Sequence, residues 1–285
     1  MLSNNAPISP LPTPRSLSSV RYILTDIDDT LTVRGKLIAS AYTALWKLKA
    51  AGIRVIPVTG RPAGWCDCIV REWPVDGIVG ENGALVFWEE PVSPDTRRLP
   101  VLRSMYHNNA VRNSHPVLRQ VRERALAEVP GLRDAKDQFA RLFDIALDFA
   151  EEEPVLPLSA AEKVREIAIA EGAVAKISSI HVNVWMGSYD KLSMAECFLA
   201  ERFGWKGDAA EVAFVGDSPN DEPMFGRFPL SFAVANVRRY QSLMQQFPAF
   251  IAAREGGDGF AEIAELLLAN LPAAEPMEPI GLSSK

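Results

Sequence analysis

The 285-residue chain is poor in features that define several protein classes. Its three cysteines, Cys66, Cys68 and Cys197, are too few for a disulfide framework. Such sparse use is typical of a reducing compartment, so we expect a cytoplasmic protein. Cys66 and Cys68 are not followed by a second pair of ligands, which argues against a zinc site. No apolar run reaches the roughly 18 residues of a membrane span, so we expect no membrane insertion.

The chain also lacks an excess of positive charge. There are 30 Lys and Arg against 36 Asp and Glu, a formal net charge of -6, which disfavours a nucleic-acid partner. Hydrophobic residues make up 48% and charged residues 23%, as in an ordinary globular protein with a sizeable core. Residues 1–19 and 273–285 contain little to bury, and we expect both to be disordered tails.

Short apolar runs alternate with helical patterns in two separated parts of the chain. The runs at 22–24, 53–58 and 212–215 have the length and composition of buried parallel strands. Alternation of this kind predicts βαβ units around one parallel sheet. We therefore predict an α/β, Rossmann-like core domain made of residues 20–84 and 187–272.

The residues between these two parts, 85–186, have a different pattern. The segments 143–149 and 182–186 alternate apolar and polar residues, as half-exposed strands do, and 160–171 has helical spacing. Half-exposed strands are typical of an antiparallel sheet that carries helices on one face. We therefore predict that an α+β cap domain is inserted into the core.

Polar residues follow the strands of the predicted core. The first strand leads into Asp26 and Asp28, the second into Thr59, and the late strand into Asp217 and Asp221. Lys191 begins the helix that returns to the core. Ligands of open α/β sheets bind beyond the carboxyl ends of the strands, so we expect these groups to converge.

If these carboxylates converge, the repulsion between their negative charges must be compensated. Two like charges about 4 Å apart repel by roughly 4 kcal/mol at an effective dielectric of 20, and Lys191 alone cannot balance three of them. Either their pKa values rise or a divalent cation lies between them. A site that offers only oxygen ligands and leaves room for water and phosphate suits Mg²⁺. A carboxylate in such a site can attack phosphorus.

Four short motifs resemble those of haloacid dehalogenase superfamily phosphatases, in the branch with an α/β cap (subfamily IIB, Cof and sugar-phosphate phosphatase type). They are DIDDT at 26–30, VTGRP at 58–62, YDK at 189–191 and GDSPND at 216–221, in the order of the family. The first and last are specific together, whereas the isolated Thr and Lys matches carry little weight. The resemblance covers almost everything except the tails.

The resemblance implies a role for each matching residue. Asp26 would be the nucleophile, and Asp28 the general acid and base. Asp26, Asp28 (through its carbonyl), Asp217 and Asp221 would hold Mg²⁺. Thr59 and Lys191 would bind the phosphoryl oxygens. The implied activity is Mg²⁺-dependent hydrolysis of a phosphomonoester through an aspartyl-phosphate.

Other residues are candidates for substrate contacts. Arg61 would contact a substrate anion or pair with Glu81 or Asp76. Asn82 lies in a turn at the end of the third strand. His181 and Asn183, on a cap strand, would form hydrogen bonds with the hydroxyl groups of a sugar. The set of possible substrate residues is thus Arg61, Asn82, His181 and Asn183.

The expected partner is a small phosphorylated metabolite, with a sugar phosphate as the leading candidate. A phosphomutase of the phosphomannomutase type and a non-catalytic metabolite-binding protein are the alternatives. The identity of the substrate and the oligomeric state are left open by the sequence.

Overall fold

The computed structural model describes residues 17–92, 99–178 and 180–271. The predicted tails at 1–19 and 273–285 lie outside these ranges apart from residues 17–19. Of these, Leu17 is fully buried in the hydrophobic core, so folded structure extends at least that far towards the N-terminus.

Five parallel strands form the central sheet, in the order β14-β13-β12-β1-β4. They are β1 (Tyr22–Thr25), β4 (Arg54–Pro57), β12 (Val212–Gly216), β13 (Leu230–Ala233) and β14 (Phe250–Ile251). Strands from both halves of the predicted core are neighbours, because β1 pairs with β4 on one side and with β12 on the other. The α/β, Rossmann-like core is confirmed.

Helices cover both faces of this sheet. Ile23 of β1 points to one face and Tyr22 and Leu24 to the other, as the period of two in a strand requires. The face of Ile23 is covered by α1 (Ala39–Ala50), α2 (Ala63–Glu72) and α7 (Gly256–Asn270). The face of Leu24 is covered by α5 (Lys191–Phe203) and α6 (Glu222–Arg227). None of the helices in the described ranges is long and apolar enough to cross a membrane.

Three further strands extend the core beyond β4. β5 (Ile78–Gly80), β6 (Leu85–Glu90) and β7 (Val101–Tyr106) form an antiparallel sheet, and a parallel bridge between Val58 and Val79 joins it to the central one. The sequence places the start of the cap at residue 85, yet β6 and β7 hydrogen-bond with β5 and contribute to the core clusters. We therefore propose that the cap begins after Tyr106.

The cap has its own sheet and its own hydrophobic core. The antiparallel order is β10-β11-β9-β8, made of β8 (Arg133–Asp134), β9 (Asp144–Asp148), β10 (Val174–Ile177) and β11 (His181–Trp185). Helices α3 (Pro116–Glu128) and α4 (Leu158–Ala170) pack on one face, against residues such as Leu147 and Val184. The opposite face carries polar residues. A small hairpin, β2 (Thr32–Val33) and β3 (Lys36–Leu37), follows β1.

The two chain segments that connect the cap with the core touch each other. The Asn109 side-chain amide donates hydrogen bonds to the Ser188 carbonyl (3.2 Å) and hydroxyl (2.9 Å). Gly187 has φ of 108°, and a Cβ there would lie 1.9 Å from the Asn109 carbonyl oxygen. Glycine is thus required where the outgoing segment crosses the incoming one.

Candidate active site

The acidic residues that follow β1 and β12 meet at one edge of the sheet. β1 and β12 are paired in parallel with Thr25 opposite Val215, so Asp26 and Asp217 emerge side by side. Asp26, Asp217 and Asp221 each place a carboxylate oxygen within 4.8 Å of the others, and all three are buried. The convergence expected from the strand ends is therefore present.

Lys191 reaches the cluster from the first turn of α5. Its Nζ lies 2.7 Å from Asp26 Oδ1 and 3.7 Å from Asp221 Oδ1. The helix start is fixed by a capping box, in which Asp190 accepts from the Ser193 amide (2.7 Å) and the Ser193 hydroxyl accepts from the Asp190 amide (3.1 Å). Gly83, with φ of 105°, lets the core loop approach this turn, because a Cβ there would lie 2.0 Å from the Asp190 carbonyl oxygen.

One ammonium does not neutralise three carboxylates. Burial, together with the charges of Asp221 and Asp28, raises the pKa of Asp26 to about 7 despite the opposing effect of Lys191. Burial and the charges of Asp221 and Asp26 raise the pKa of Asp217 to about 9. The pKa of Lys191 is raised: burial favours its neutral form, but the charges of Asp26 and Asp221 outweigh this. At neutral pH the cluster therefore favours binding a cation.

The residues fit a small, hard cation. Asp221 Oδ1 is buried and has no hydrogen-bond partner, while its Oδ2 accepts from the amides of Asp217 (3.0 Å) and Ser218 (3.3 Å). An orphaned buried oxygen of this kind is costly unless an ion or water completes its coordination. All the available donors are oxygens, which suits Mg²⁺.

Two residues that the sequence analysis did not single out hold Asp217 in place. The Thr30 hydroxyl lies 3.4 Å from Asp217 Oδ1, and the Asn236 amide donates to Oδ2 (2.9 Å). Asn236 also donates to the Asp29 carbonyl (3.0 Å) and accepts from the Gly256 amide (3.1 Å). Thr30 belongs to the DIDDT motif, but no local pattern marks Asn236, because its contacts lie far away in sequence.

Asp28 and Thr59 lie at the same edge but outside the three-carboxylate cluster. Asp28 has a half-exposed side chain. Thr59 is buried two residues beyond β4, the neighbour of β1. Its hydroxyl accepts from the Arg61 amide (3.1 Å), which fixes the loop after β4.

Arg61 pairs with Asp28, so the alternative in which it pairs with Glu81 or Asp76 is wrong. Arg61 Nη2 lies 2.7 Å from Asp28 Oδ1, and Nε lies 3.2 Å from both carboxylate oxygens. The guanidinium also lies 5.4 Å from the ring centroid of Trp65. Burial disfavours the charged form of Arg61, but the hydrogen bond and charge of Asp28 prevail and raise its pKa. Asp76 and Glu81 have other partners. Asp76 forms an ion pair with Arg54, and Glu81 accepts hydrogen bonds from backbone amides.

Asn82 and Asn183 meet at a buried carboxylate of the cap. Asn82 Nδ2 lies 3.3 Å and Asn183 Nδ2 3.1 Å from Asp144 Oδ2. Arg141 donates to both oxygens of Asp144 (3.0 and 3.1 Å) and to the Gly60 carbonyl (3.2 Å). The polar face of the cap sheet is thereby held against the core loops at residues 60 and 82. His181 lies on the same face, where its Nε2 is 2.7 Å from Glu151 Oε2.

Glu81 joins the core to the cap segment 142–144, which leads into β9. Its carboxylate accepts from the amides of Ala63 (2.8 Å), Leu142 (2.8 Å), Phe143 (2.7 Å) and Asp144 (3.2 Å). Glu81 and Asn82 both adopt positive φ, 45° and 57°, which is strained for residues with a side chain. Burial and the charge of Asp144 raise the pKa of Glu81 to about 7 despite its amide contacts.

Comparison with known proteins agrees with this geometry. A family model described as haloacid dehalogenase-like hydrolase matches residues 23–100. A phosphoglycolate phosphatase of Pyrobaculum aerophilum is 26% identical over 255 residues, covering 87% of this chain and 96% of the relative.

Solved structures share the fold. A protein of Thermoplasma acidophilum superposes with a TM-score of 0.65 at 19% identity, covering 87% of this chain and 98% of its own. A subclass IIB sugar phosphatase superposes with a TM-score of 0.59 at 14% identity, covering 87% and 98%. Residues 23–100 are thus similar to haloacid dehalogenase-like hydrolases, and the chain shares the fold of a subclass IIB sugar phosphatase of that superfamily.

Proposed function

We propose that this chain is a Mg²⁺-dependent phosphomonoesterase that acts on a sugar phosphate or a similar small phosphometabolite through an aspartyl-phosphate on Asp26. It is a phosphatase of the haloacid dehalogenase type. The observation that carries the proposal is the buried cluster of Asp26, Asp217 and Asp221, with Lys191 Nζ 2.7 Å from Asp26. The relative named as a phosphoglycolate phosphatase supports a small phosphate ester as substrate.

Asp26, Asp217 and Asp221 would hold the ion, with the backbone of Asp28 as a further ligand. The bound ion would neutralise charge on the phosphoryl oxygens. Lys191, which pairs with Asp26, would bind the same oxygens, and Thr59 would bind them from the neighbouring strand end. Asp26 attacks phosphorus as a carboxylate, which requires that the raised pKa of the metal-free site be lowered by the cation.

Asp28 would transfer a proton to the leaving group. Its half-exposed carboxylate is oriented by Arg61 rather than enclosed in the cluster. In this role it protonates the departing alkoxide and then takes a proton from the water that hydrolyses the phosphoaspartate. The low cysteine content supports a cytoplasmic location.

The proposal is tested by the release of inorganic phosphate from a panel of phosphate esters by the purified protein, with and without Mg²⁺. We expect Mg²⁺-dependent turnover with no bisphosphate activator. A requirement for a bisphosphate, with transfer of phosphate back to a sugar, would show a phosphomutase. Absence of turnover on every ester would leave a binding protein.

A further inference from the structure

Lys176 of β10 belongs to the face of the cap sheet that is directed towards the core. Lys176 is the register partner of Asn183, and Asn183 is the register partner of Ala146, so their side chains share one face. Asn183 on that face contacts Asp144, which also receives the hydrogen bond from Asn82 of the core. The opposite face is apolar and packs on α3 and α4.

Lys176 has no direct partner for its charge. Among the residues that the structure describes, none forms a hydrogen bond with its ammonium or lies within ion-pair distance of it. The side chain is nevertheless partly buried. Burial and the charge of Lys191 lower its pKa, and Asp190 and Asp221 oppose this without contacting it.

Lys176 is close enough to the active site for the charges of three residues there to act on its ammonium. Lys191 and Asp221 belong to the phosphate and metal cluster, and Asp190 caps the helix that begins at Lys191. Lys191 already meets the carboxylate on which phosphate would form. A second cation supplied from the cap is therefore in position to meet an anionic group on the other side of the substrate, the leaving group.

We infer that Lys176 is a specificity residue that binds a carboxylate on the leaving group, so that the preferred substrate is the phosphate ester of a small hydroxy acid. This inference rests on the proposed phosphatase function and narrows its substrate class. A carboxylate gives the partly buried ammonium the charged hydrogen-bond partner that the protein itself does not provide. With a neutral leaving group, the ammonium of Lys176 would have no charged hydrogen-bond partner.

The test compares two esters of the same length that differ in one group: 2-phosphoglycolate, which carries a carboxylate, and 2-hydroxyethyl phosphate, which carries an alcohol. We expect the wild-type kcat/KM to be about tenfold or more higher for the carboxylate ester, as a charged hydrogen bond allows. In Lys176→Met this preference should fall about tenfold, mainly through KM of the carboxylate ester. Lys176→Arg should retain most of it.

Lys163→Met is the matched control. Lys163 lies on α4, on the far side of the cap sheet, where it is exposed and 3.6 Å from Glu128. The change in charge is the same, and we expect no change in preference. Equal losses on both esters in Lys176→Met, or a lower melting temperature with the preference intact, would assign Lys176 to the phosphoryl group or to folding and would overturn the inference.

The two proposals fail differently. Wild-type protein that hydrolyses both esters equally well in Mg²⁺, or prefers neutral sugar phosphates, refutes the carboxylate inference and leaves the phosphatase function standing. Wild-type protein that hydrolyses no phosphate ester refutes the function itself.

Discussion

Arg61 holds Asp28 by two nitrogens, with Nη2 2.7 Å and Nε 3.2 Å from Asp28 Oδ1. Forked contacts of this kind fix the plane of a carboxylate as well as its position. Asp28 is half exposed and is held by no other side chain in the described residues. Its orientation therefore depends on Arg61.

Replacing Arg61 should impair proton transfer more than phosphate binding. In Arg61→Met we expect kcat for an alkyl phosphate to fall by about 10- to 100-fold, because a misplaced catalytic group costs about this much. p-Nitrophenyl phosphate should lose far less, because its leaving group departs without full protonation. The measurement is the ratio of kcat values for the two esters in wild type, Arg61→Lys and Arg61→Met. An unchanged ratio would remove Arg61 from this role.

Asp26→Asn should reduce turnover to below about 1% of wild type without unfolding the protein. The amide is nearly isosteric with the carboxylate but cannot attack phosphorus. Thermal unfolding is the control for folding, and labelling by a phosphate donor is the direct readout of the covalent intermediate. A variant that retains more than a few per cent of activity in Mg²⁺ would contradict the covalent mechanism.

Without metal, the protein should lose stability as pH rises, and Mg²⁺ should restore it. The ordinary pKa of Asp26 and Asp217 is 3.8, and the folded protein raises these values to about 7 and about 9. Their contribution to stability is thus fully present below about pH 4 and is lost as pH rises through 7 and 9. The melting temperature in EDTA should fall between pH 5 and pH 9, and the increase on adding Mg²⁺ should be largest at the upper end.

Asp217→Asn provides the comparison for this pH dependence. Asn cannot ionise, so folding of the variant does not require a carboxylate with an ordinary pKa of 3.8 to be protonated or buried as an anion at pH 8. The metal-free variant should therefore be more stable than wild type at that pH, and it should need a higher Mg²⁺ concentration for activity. Activity curves against Mg²⁺ that superimpose on those of wild type would show that Asp217 is not a ligand.

Glu81→Ala should weaken the attachment of the cap. Its carboxylate satisfies four backbone amides, three of them in the cap segment 142–144. Leaving such groups unpaired costs about 3 kcal/mol of unfolding free energy or more. Glu90→Ala, which removes an exposed pair with Arg103, should cost less than about 1 kcal/mol. Similar losses for the two variants in urea unfolding would contradict this account.

The core of the site was predictable because strand ends are local signals and parallel strands share an edge. The expected convergence of Asp26 and Asp217 follows from that rule alone. Lys191 was expected there because it begins the helix that returns to the core. The partner of Arg61 and the contacts of Asn236 were not predictable, because hydrogen bonds across long sequence separations leave no periodic pattern. The proposed later start of the cap was hard to predict for a related reason. β6 is apolar like a core strand, but only its pairing with β5 shows which sheet it joins.

Catalytic roles of the individual residues remain predictions, as do substrate contacts by Asn82, Asn183 and His181. In the structure these three side chains contact Asp144 or Glu151, so any contact with a substrate must compete with those hydrogen bonds or add to them.

The crossing of Asn109 and Gly187 has a consequence for how such a protein can arise. The chain leaves the core and returns to it at nearly the same point, and the rings of His107 and Tyr189 lie only 5.7 Å apart. A segment whose ends are adjacent can be excised or exchanged as a unit, because the remaining ends are close enough to be joined by a short turn. The cap is thus a replaceable module. Exchanging it at this crossing would leave the order and register of the central sheet untouched.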